Sequence, residues 1–565
     1  MIPLEWMPPL MFGGLVLIML IGFPVAFSLA ALGLAFGFLS IQLGFFEPTF
    51  LQAIPGRIYG SIIANELLLA IPFFTMMGAI LEKCGLAEDM LDSMGQLFGS
   101  LRGGLGYSVI IVGFILGAIT GTVAAQVIAM ALISLPVMMR YKYNMRYATG
   151  VLAASGTITQ LVPPSLVLIV LADQLGRSVG DMYKGAWGPS LLQVLLFCLF
   201  TFLVSVFKPE WVPAIPKEDL KLRGWALVKK AIAGILPAGV LIFLVLGTLL
   251  LGLATPTEAG AMGTIGALVL AVERNPGLNR FGRIVFWTGV AAALVAAVIG
   301  FFAFKSVPFK VALAVLYACI VYVCIRGVFI PDLRLLLIRA VKATMRLTAM
   351  VIFILIGSTC FSIVFQGVDG GRWLEHLLTD LPGGVWGFLI VVNLFVFFIA
   401  FFLDFFEIVF IIVPLLAPIA KTLLTPVVGE DAALIWFGVM LCVNLQTSFM
   451  HPPFGFALFY LRGVAPKEVK SSDIYWGAIP FVILQLILVA LVIGFPKQVT
   501  MFLDKPIEYD LKNMEIEVPA IGSETAPGPF TAPPKSGDAL QDLLNQQQNE
   551  ADKAGEELQK QFQTK

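Results

Sequence analysis

Two carboxylates, Asp404 and Glu407, stand three residues apart in the run Phe-Phe-Leu-Asp-Phe-Phe-Glu-Ile-Val-Phe, whose other members are all apolar. A charge held in hydrocarbon is costly unless it is paired or hydrated, so one retained there points to a site. Asp404 is a candidate for holding a cation or orienting a hairpin tip; the competing explanation is a structural partnership with an arginine or a backbone amide, which is preferred for Glu407. Thr120-Gly121-Thr122 sets two hydroxyls around a residue that permits close backbone approach, an arrangement that suits an ion or a carboxylate at helix ends. Tight packing of small residues between helices explains that triplet equally well. Tandem prolines, Pro163-Pro164 and Pro452-Pro453, interrupt two further apolar runs. Each proline removes a donor and frees a carbonyl. Unpaired backbone at membrane depth is tolerated only where it is buried in protein or lines a cavity. Freed carbonyls with nearby hydroxyls are good ligands for a hard monovalent cation.

Other polar residues have plainer readings. His451, beside Pro452, could titrate near neutral pH and couple transport to protons, but a satisfied buried histidine is commoner. Thr255-Pro-Thr-Glu258 is a helix start, with Thr255 as cap, Pro256 at the first position and Glu258 at the third. Asp173 and Gln174 fall at a helix end, where a polar interface is the default, and Glu66 between Asn65 and a leucine-rich run fits either role. There is no phosphate-cradling Gly-Lys motif, metal cluster or nucleophile elbow for an ATP-driven pump or a hydrolase, and nothing points to nucleic acid. No cofactor is expected apart from a coupling ion.

These residues must be positioned by membrane helices. Of 565 residues 59% are hydrophobic and only 13% charged, about half the charged share of soluble domains. A bilayer is therefore the main solvent, crossed by roughly a dozen or more stretches of about 20 apolar residues. The first, Pro9 to Ile41, lacks the basic lead and cleavage site of a removable signal and is expected to stay as membrane helix. Cys84, Cys198, Cys319, Cys324, Cys360 and Cys442 are scattered without metal or disulfide spacing and read as packed, reduced thiols. The stretch from Lys497 to Lys565 holds 7 lysines and 12 acidic residues and contains Pro-rich and Gln-rich segments. It reads as a soluble, largely disordered acidic tail ending in a short polar helix.

The chain repeats itself. Asp181-Met-Tyr-Lys-Gly-Ala recurs as Asp473-Ile-Tyr-Trp-Gly-Ala at an offset of 292, Pro163-Pro164 falls on Pro452-Pro453 at 289, and Pro136 on Pro418 at 282. Gly22-Phe-Pro stacks on Ala254-Thr-Pro at 232, and the jump of 50 places a two-helix insertion at Val285 to Arg326. Basic short loops stay cytoplasmic. The loop Arg140 to Arg146 carries three positive charges and no acid, whereas its counterpart Thr425 to Asp431 carries two acids and no base. The halves are therefore inverted, with both termini periplasmic. Gly104 to Met138 and Gly384 to Lys421 become re-entrant hairpins, and Tyr147 to Asp173 and Leu434 to Leu461 become broken helices meeting at the midplane. An amphipathic arm is expected at Glu82 to Arg102. The expected fold is thus an all-α polytopic membrane protein of inverted repeats with two re-entrant hairpins and two broken helices. Its division is 1–103 (scaffold helices and arm), 104–207 (hairpin and broken helix), 208–382 (second scaffold set with the insertion 285–326), 383–496 (second hairpin and broken helix) and 497–565 (tail).

Thr120-Gly-Thr122, Gly156 to Ser165 (GTITQLVPPS), Thr255 to Glu258, Phe402-Leu-Asp404 and Asn444 to Pro466 (NLQTSFMHPPFGFALFYLRGVAP) together resemble the large permease subunit, DctM-like, of TRAP transporters, in particular the mannitol/chloroaromatic branch. The resemblance spans roughly Leu10 to Phe495. It implies sodium-coupled import of a small organic acid in the bacterial inner membrane by an elevator motion. It also implies a small membrane subunit and a periplasmic substrate-binding protein as partners. The family's sodium sites lie at hairpin tips beside the helix breaks. Carried over, they give Thr120, Gly121, Thr122, Gly156, Pro163, Pro164 and Ser165 in the first half, and Leu403, Asp404, Thr447, Ser448, His451, Pro452 and Pro453 in the second. Thr120, Thr122, Asp404, Thr447 and Ser448 are the candidate Na⁺ ligands. Threonines stand where the family usually has serines, and His451 replaces a usual threonine. A proton-coupled or binding-protein-independent anion symporter is the alternative; a channel or membrane enzyme is a more distant one.

Overall fold

The computed structural model describes residues 3–504 apart from 83, 217, 220–224, 303–306, 380, 402 and 452–454. Every regular element among them is a helix. Nine of the described helices are long and apolar enough to cross a membrane, or eleven if two bent pairs each count as one span. Large apolar side chains face outward along them, with Phe202, Phe243 and Phe329 each more than half exposed, as expected where the solvent is lipid rather than water.

Both hairpins form. The first joins Gly104–Thr120 to Val123–Arg140 across two residues, Gly121 and Thr122. Gly121 sits at φ 62°, a left-handed conformation that only glycine adopts without strain. The second joins Gly384–Ile399 to Phe405–Val428, whose first residue is set by Asp404. Both broken helices also form. Met145–Thr157 passes through a 3₁₀ turn at Ile158–Gln160 and restarts as Leu166–Gln174, while Glu430–Leu445 passes through Gln446–Phe449 and restarts as Phe456–Val464. Side chains start many of these segments. The Asn144 carboxamide accepts from the amides of Arg146 and Tyr147, and the Ser165 hydroxyl from those of Val167 and Leu168. Thr255 and Glu258 form a reciprocal capping box, as the sequence predicts.

Packing interchanges the two halves. The first broken helix, at Met145–Thr157, lies against Ser471–Gly494, the last long helix of the second half, and Glu430–Leu445 lies against Val179–Phe207, the last long helix of the first. These partners are related by the offsets of 289 and 292 that relate the sequences. Outside this core, Val25–Gln42 packs on Pro331–Gly367 and Pro256–Arg274 packs on Ala70–Glu82. The last of these also touches the first hairpin, and Pro331–Gly367 touches the second.

Some expected boundaries move. The inserted pair runs as Arg280–Phe302 and Val307–Phe329, wider than 285–326 because its arginine-bearing ends remain helical. The arm is the shorter helix Leu86–Phe98. Residues 497–504 do not behave as a solvated tail: Lys497–Thr500 is helical, Val499 is fully buried, and Asp504 pairs with Lys184 of the helix Val179–Phe207. Residues 505–565, to which the disordered acidic segment and polar helix were assigned, lie outside the described residues.

Candidate functional site

In the first half the hairpin tip and the helix break are tied together by one amide, Gln126, on the second limb of the hairpin. Its Nε2 donates to the carbonyls of Gly113 (2.6 Å) and Ser155 (3.1 Å). Its Oε1 accepts from the hydroxyls of Thr120 (3.1 Å) and Thr159. Thr120 is thus buried and engaged, and its hydroxyl also reaches the Leu116 carbonyl at 3.0 Å. Thr122 begins the limb Val123–Arg140 in an extended conformation, and its side chain makes no capping bond. Gly156 serves close approach: a Cβ there would lie 2.2 Å from Cγ2 of Val127 on the hairpin.

The break's carbonyls meet one donor of its own, Ser165, and three from outside it. The Gln160 carbonyl accepts from the Ser165 hydroxyl and from the Cys442 thiol (3.2 Å), the Leu161 carbonyl from Ser190 (3.2 Å) and the Ser165 carbonyl from Tyr183 (3.2 Å). Pro163-Pro164 is joined by a cis peptide bond. Freed carbonyls therefore do exist, and two of them, those of Gln160 and Leu161, are already taken by hydroxyls or a thiol, while the Ser165 carbonyl also accepts from the Ile169 amide of the restarted helix. The Gln160 carboxamide is buried with neither of its atoms hydrogen-bonded among the described residues.

The second half is assembled differently. Asp404 accepts from the Phe405 amide (2.6 Å), and Glu407 accepts from the Asp404 amide (2.9 Å), completing a capping box. Both carboxylates thus hold the start of the helix Phe405–Val428, the structural role expected for Glu407 and the alternative weighed for Asp404. Leu403 is buried just before this cap. Thr447 and Ser448 are buried at the break and donate to the carbonyls of Asn444 and Leu445, each at 2.7 Å. Aromatic rings join the tip to the break. His451 stacks on Phe401 with ring centroids 3.9 Å apart and meets Phe397 edge-on at 4.5 Å, while Phe405 lies 5.9 Å from Phe449. His451 is 1% exposed, and neither ring nitrogen makes a standard hydrogen bond among the described residues. Phe402, Pro452 and Pro453 lie outside the described residues.

The two breaks meet through amides that sequence reasoning missed. Gln193 and Gln446 exchange hydrogen bonds at 2.5 and 3.2 Å, and Gln485 donates to the Thr157 hydroxyl at 2.9 Å. Gln193 and Gln485 are related by the offset of 292, and Thr157 and Gln446 by 289. Each half thus delivers a glutamine to the other half's break. Asn444 donates to the carbonyl and side-chain oxygen of Asn393 (2.8 and 3.1 Å), tying the second broken helix to its hairpin. A lone amide within an otherwise apolar run was the available signal for Gln193 and Gln485, whereas Asn444 and Gln446 stand together in the polar string before the second break. Asp173 accepts from Asn65 (2.7 Å) and Gln174 (2.8 Å), the polar interface expected at that helix end.

Chemically, the arrangement brings hydroxyls, carbonyls and amides to two hairpin–break junctions that share one buried core. No group of three metal-ligating His, Cys, Asp or Glu side chains occurs among the described residues.

A family model described as the DctM component of tripartite ATP-independent periplasmic transporters matches residues 12–310 and 289–498. The C4-dicarboxylate TRAP transporter large permease protein DctM of Pseudomonas aeruginosa is 27% identical over 82% of this chain and 92% of its own length. The sialic acid TRAP transporter large permease protein SiaM of Vibrio cholerae is 25% identical over 84% of this chain and 93% of its own. Among solved structures, the YdaH transporter of Alcanivorax borkumensis is similar at a TM-score of 0.42 and 16% identity, covering 80% of this chain and 91% of that one.

Proposed function

Given that the chain belongs to the DctM component family of tripartite ATP-independent periplasmic transporters, we propose that it is the permease of a sodium-driven importer of a small organic acid. Two further components are implied by that family: a small membrane subunit and a periplasmic protein that delivers the substrate. The chain is a membrane-embedded secondary transporter subunit, not an enzyme, and the bacterial inner membrane is its place. Both termini are assigned to the periplasm on the strength of the basic Arg140 to Arg146 loop.

The observation that carries the proposal is the pair of hairpin–break junctions related by the internal repeat. In secondary transporters of this construction, unwound carbonyls and helix ends near the midplane coordinate the coupling ion. The first ion is assigned to Thr120, Gly121 and Thr122 with Gly156 and Pro163 to Ser165; the second to Leu403 and Asp404 with Thr447, Ser448, His451, Pro452 and Pro453. Na⁺ accepts neutral oxygen ligands, which is what these junctions offer. His451, buried against Phe397 and Phe401 with neither ring nitrogen in a standard hydrogen bond among the described residues, supports sodium rather than a proton as the coupling ion. Relatives at nearly equal identity are named for C4-dicarboxylates and for sialic acid. The shared carboxylate supports that substrate class, with the choice among acids made by the binding protein.

An elevator motion fits the packing. The two hairpins and two broken helices share a core through Gln193, Gln446, Gln485 and Thr157, and could move as one body against Ala70–Glu82 and Pro331–Gly367. Uptake of labelled organic acids into proteoliposomes containing this chain and its small subunit tests the proposal. Uptake that requires both binding protein and an inward sodium gradient supports it. Uptake driven by a proton gradient, or proceeding without the binding protein, refutes it.

A further inference from the structure

The inserted helix pair Arg280–Phe302 and Val307–Phe329 plays no part in the junctions described above, yet its cytoplasmic end is chemically distinctive. Arg280 and Arg283 share one open groove of about 500 Å³ with Ile284, Trp287, Thr288 and Ala291. The spacing 280, 283, 284, 287, 288, 291 is a single helical face, so the groove is basic at one end and mostly apolar below. Trp287 is 63% exposed and Ile284 57%. Across the pair, Tyr322 packs edge-on against Phe281 with centroids 5.6 Å apart. Arg326, one turn beyond Tyr322, therefore lies at the same end, and its Nε is buried without a hydrogen-bond partner among the described residues. None of the three arginines is in an ion pair among the described residues. Arg283 and Trp287 also border the adjoining pocket, which holds Glu88, Glu273 and Asp89, the last taken by Arg274 at 2.6 Å.

We propose that this face binds an anionic phospholipid, its phosphate held by Arg280 and Arg283 with Arg326 behind, and one acyl chain lying along Ile284, Trp287 and Ala291. The dimensions agree: the 11 helical steps from Arg280 to Ala291 rise about 16 Å, close to one leaflet's share of a hydrocarbon core about 30 Å thick. Charge selects the headgroup. No carboxylate lines the groove that Arg280 and Arg283 share, so the phosphate is the group it recognises; Glu88, Asp89 and Glu273 lie in the adjoining pocket that Arg283 and Trp287 also border. Basic residues at the cytoplasmic end of a membrane helix face the leaflet that carries anionic lipid, and tryptophan prefers that depth. The inference rests on the helix pair being in the membrane and is independent of the coupling ion or substrate.

The test uses the full chain, purified and stripped of lipid, with lipid retention read by native mass spectrometry. Phosphatidylglycerol, phosphatidylcholine of the same chain length and inorganic phosphate are the probes. Phosphatidylglycerol is expected to stay bound at one copy per chain in preference to phosphatidylcholine, and not to be displaced by inorganic phosphate. Each arginine contributes roughly fivefold, so Arg280→Gln with Arg283→Gln should weaken retention about 25-fold, while the double lysine variant keeps most of it. In the unmodified protein, phosphatidylglycerol should raise the unfolding temperature in a way that high salt abolishes. This arm does not depend on the variants folding. Equal retention of the two lipids, undiminished retention in the glutamine variant, displacement by inorganic phosphate, or displacement by the small membrane subunit would each overturn the proposal.

Discussion

Replacing Gln126 with leucine keeps most of the side chain's bulk and removes four polar contacts from one buried point. The amide donates to the carbonyls of Gly113 at 2.6 Å and Ser155 at 3.1 Å, and accepts from Thr120 at 3.1 Å and from Thr159. Neither hydroxyl is stranded by the change, because Thr120 retains the Leu116 carbonyl at 3.0 Å and Thr159 the Gly156 carbonyl at 2.8 Å. Hydrogen bonds between helices in a membrane average about 0.6 kcal/mol each, so four give about 2.4 and the expected loss is about 1.5–2.5 kcal/mol. The contacts to Ser155 and Thr159 join the hairpin tip to the helix break, so the loss falls on the geometry of the first ion site. At 1.4 kcal/mol per factor of ten, the half-saturating sodium concentration for uptake should rise roughly 10- to 60-fold. Sodium titration of uptake in proteoliposomes measures this, with gel filtration and thermal unfolding confirming a folded protein. A folded variant with unchanged sodium dependence would show that Gln126 does not position the site, and the reasoning from its four contacts would fail.

Four further outcomes are expected. Asp404→Ser retains a good helix cap, so stability should change by less than about 0.5 kcal/mol, while sodium-driven uptake should fall at least about tenfold if the carboxylate serves the ion; undiminished uptake would reduce Asp404 to a cap. His451→Phe preserves stacking on Phe401 but takes the ring nitrogens from the second ion site, so the half-saturating sodium concentration should rise about three- to tenfold with an unaltered pH profile. Unchanged sodium dependence would remove His451 from the site, and a changed pH profile would restore the proton reading. Gly156→Ala brings a methyl against the side chain of Val127, and adding Val127→Ala should recover the loss, expected at about 1–3 kcal/mol. By contrast, a Cβ at Gly477 would sit 2.1 Å from the Arg146 carbonyl oxygen. Backbone cannot step aside as a side chain can, so Gly477→Ala should yield little monodisperse protein, and no second-site change of a side chain should rescue it.

The hairpins and broken helices were legible because prolines, glycines and the repeat offsets mark interruptions in apolar runs wherever they fall. Thr120 was legible because two hydroxyls around a glycine are conspicuous in such a background, whereas Thr447 and Ser448 came from the resemblance to the family's motif. The amides were not. Gln126, Gln193 and Gln485 stand alone in their runs, Gln446 is one of several polar residues at its break, and their meaning comes from contacts across as many as 328 residues. The offset of 292 superimposes Gln193 on Gln485 and was available as a clue. Asp404 and Glu407 have the same cap-to-third-residue spacing as Thr255 and Glu258, so the second capping box was as readable as the first, though the apolar setting drew attention to charge instead. The aromatic seat of His451 was hidden by abundance, since 46 phenylalanines give no reason to single out Phe397 and Phe401.

The reciprocal glutamines also bear on how the molecule is made. Gln193 enters the membrane 253 residues before its partner Gln446 is synthesised, and Thr157 waits 328 residues for Gln485. A polar amide left in hydrocarbon without a partner costs a few kcal/mol, so the first half cannot settle into its final packing when it leaves the ribosome. Gln193 must be shielded, or borrow water and transient neighbours, until Gln446 arrives, and the first break closes only when the last long helix brings Gln485 to Thr157. Biogenesis should therefore depend on chain length in two steps: a product stopped before Glu430 would leave Gln193 unmatched and be a substrate for membrane quality control, one stopped before Ser471 would have that pair but lack Gln485 at the first break, and the two halves supplied as separate chains should find each other, because each holds what the other lacks.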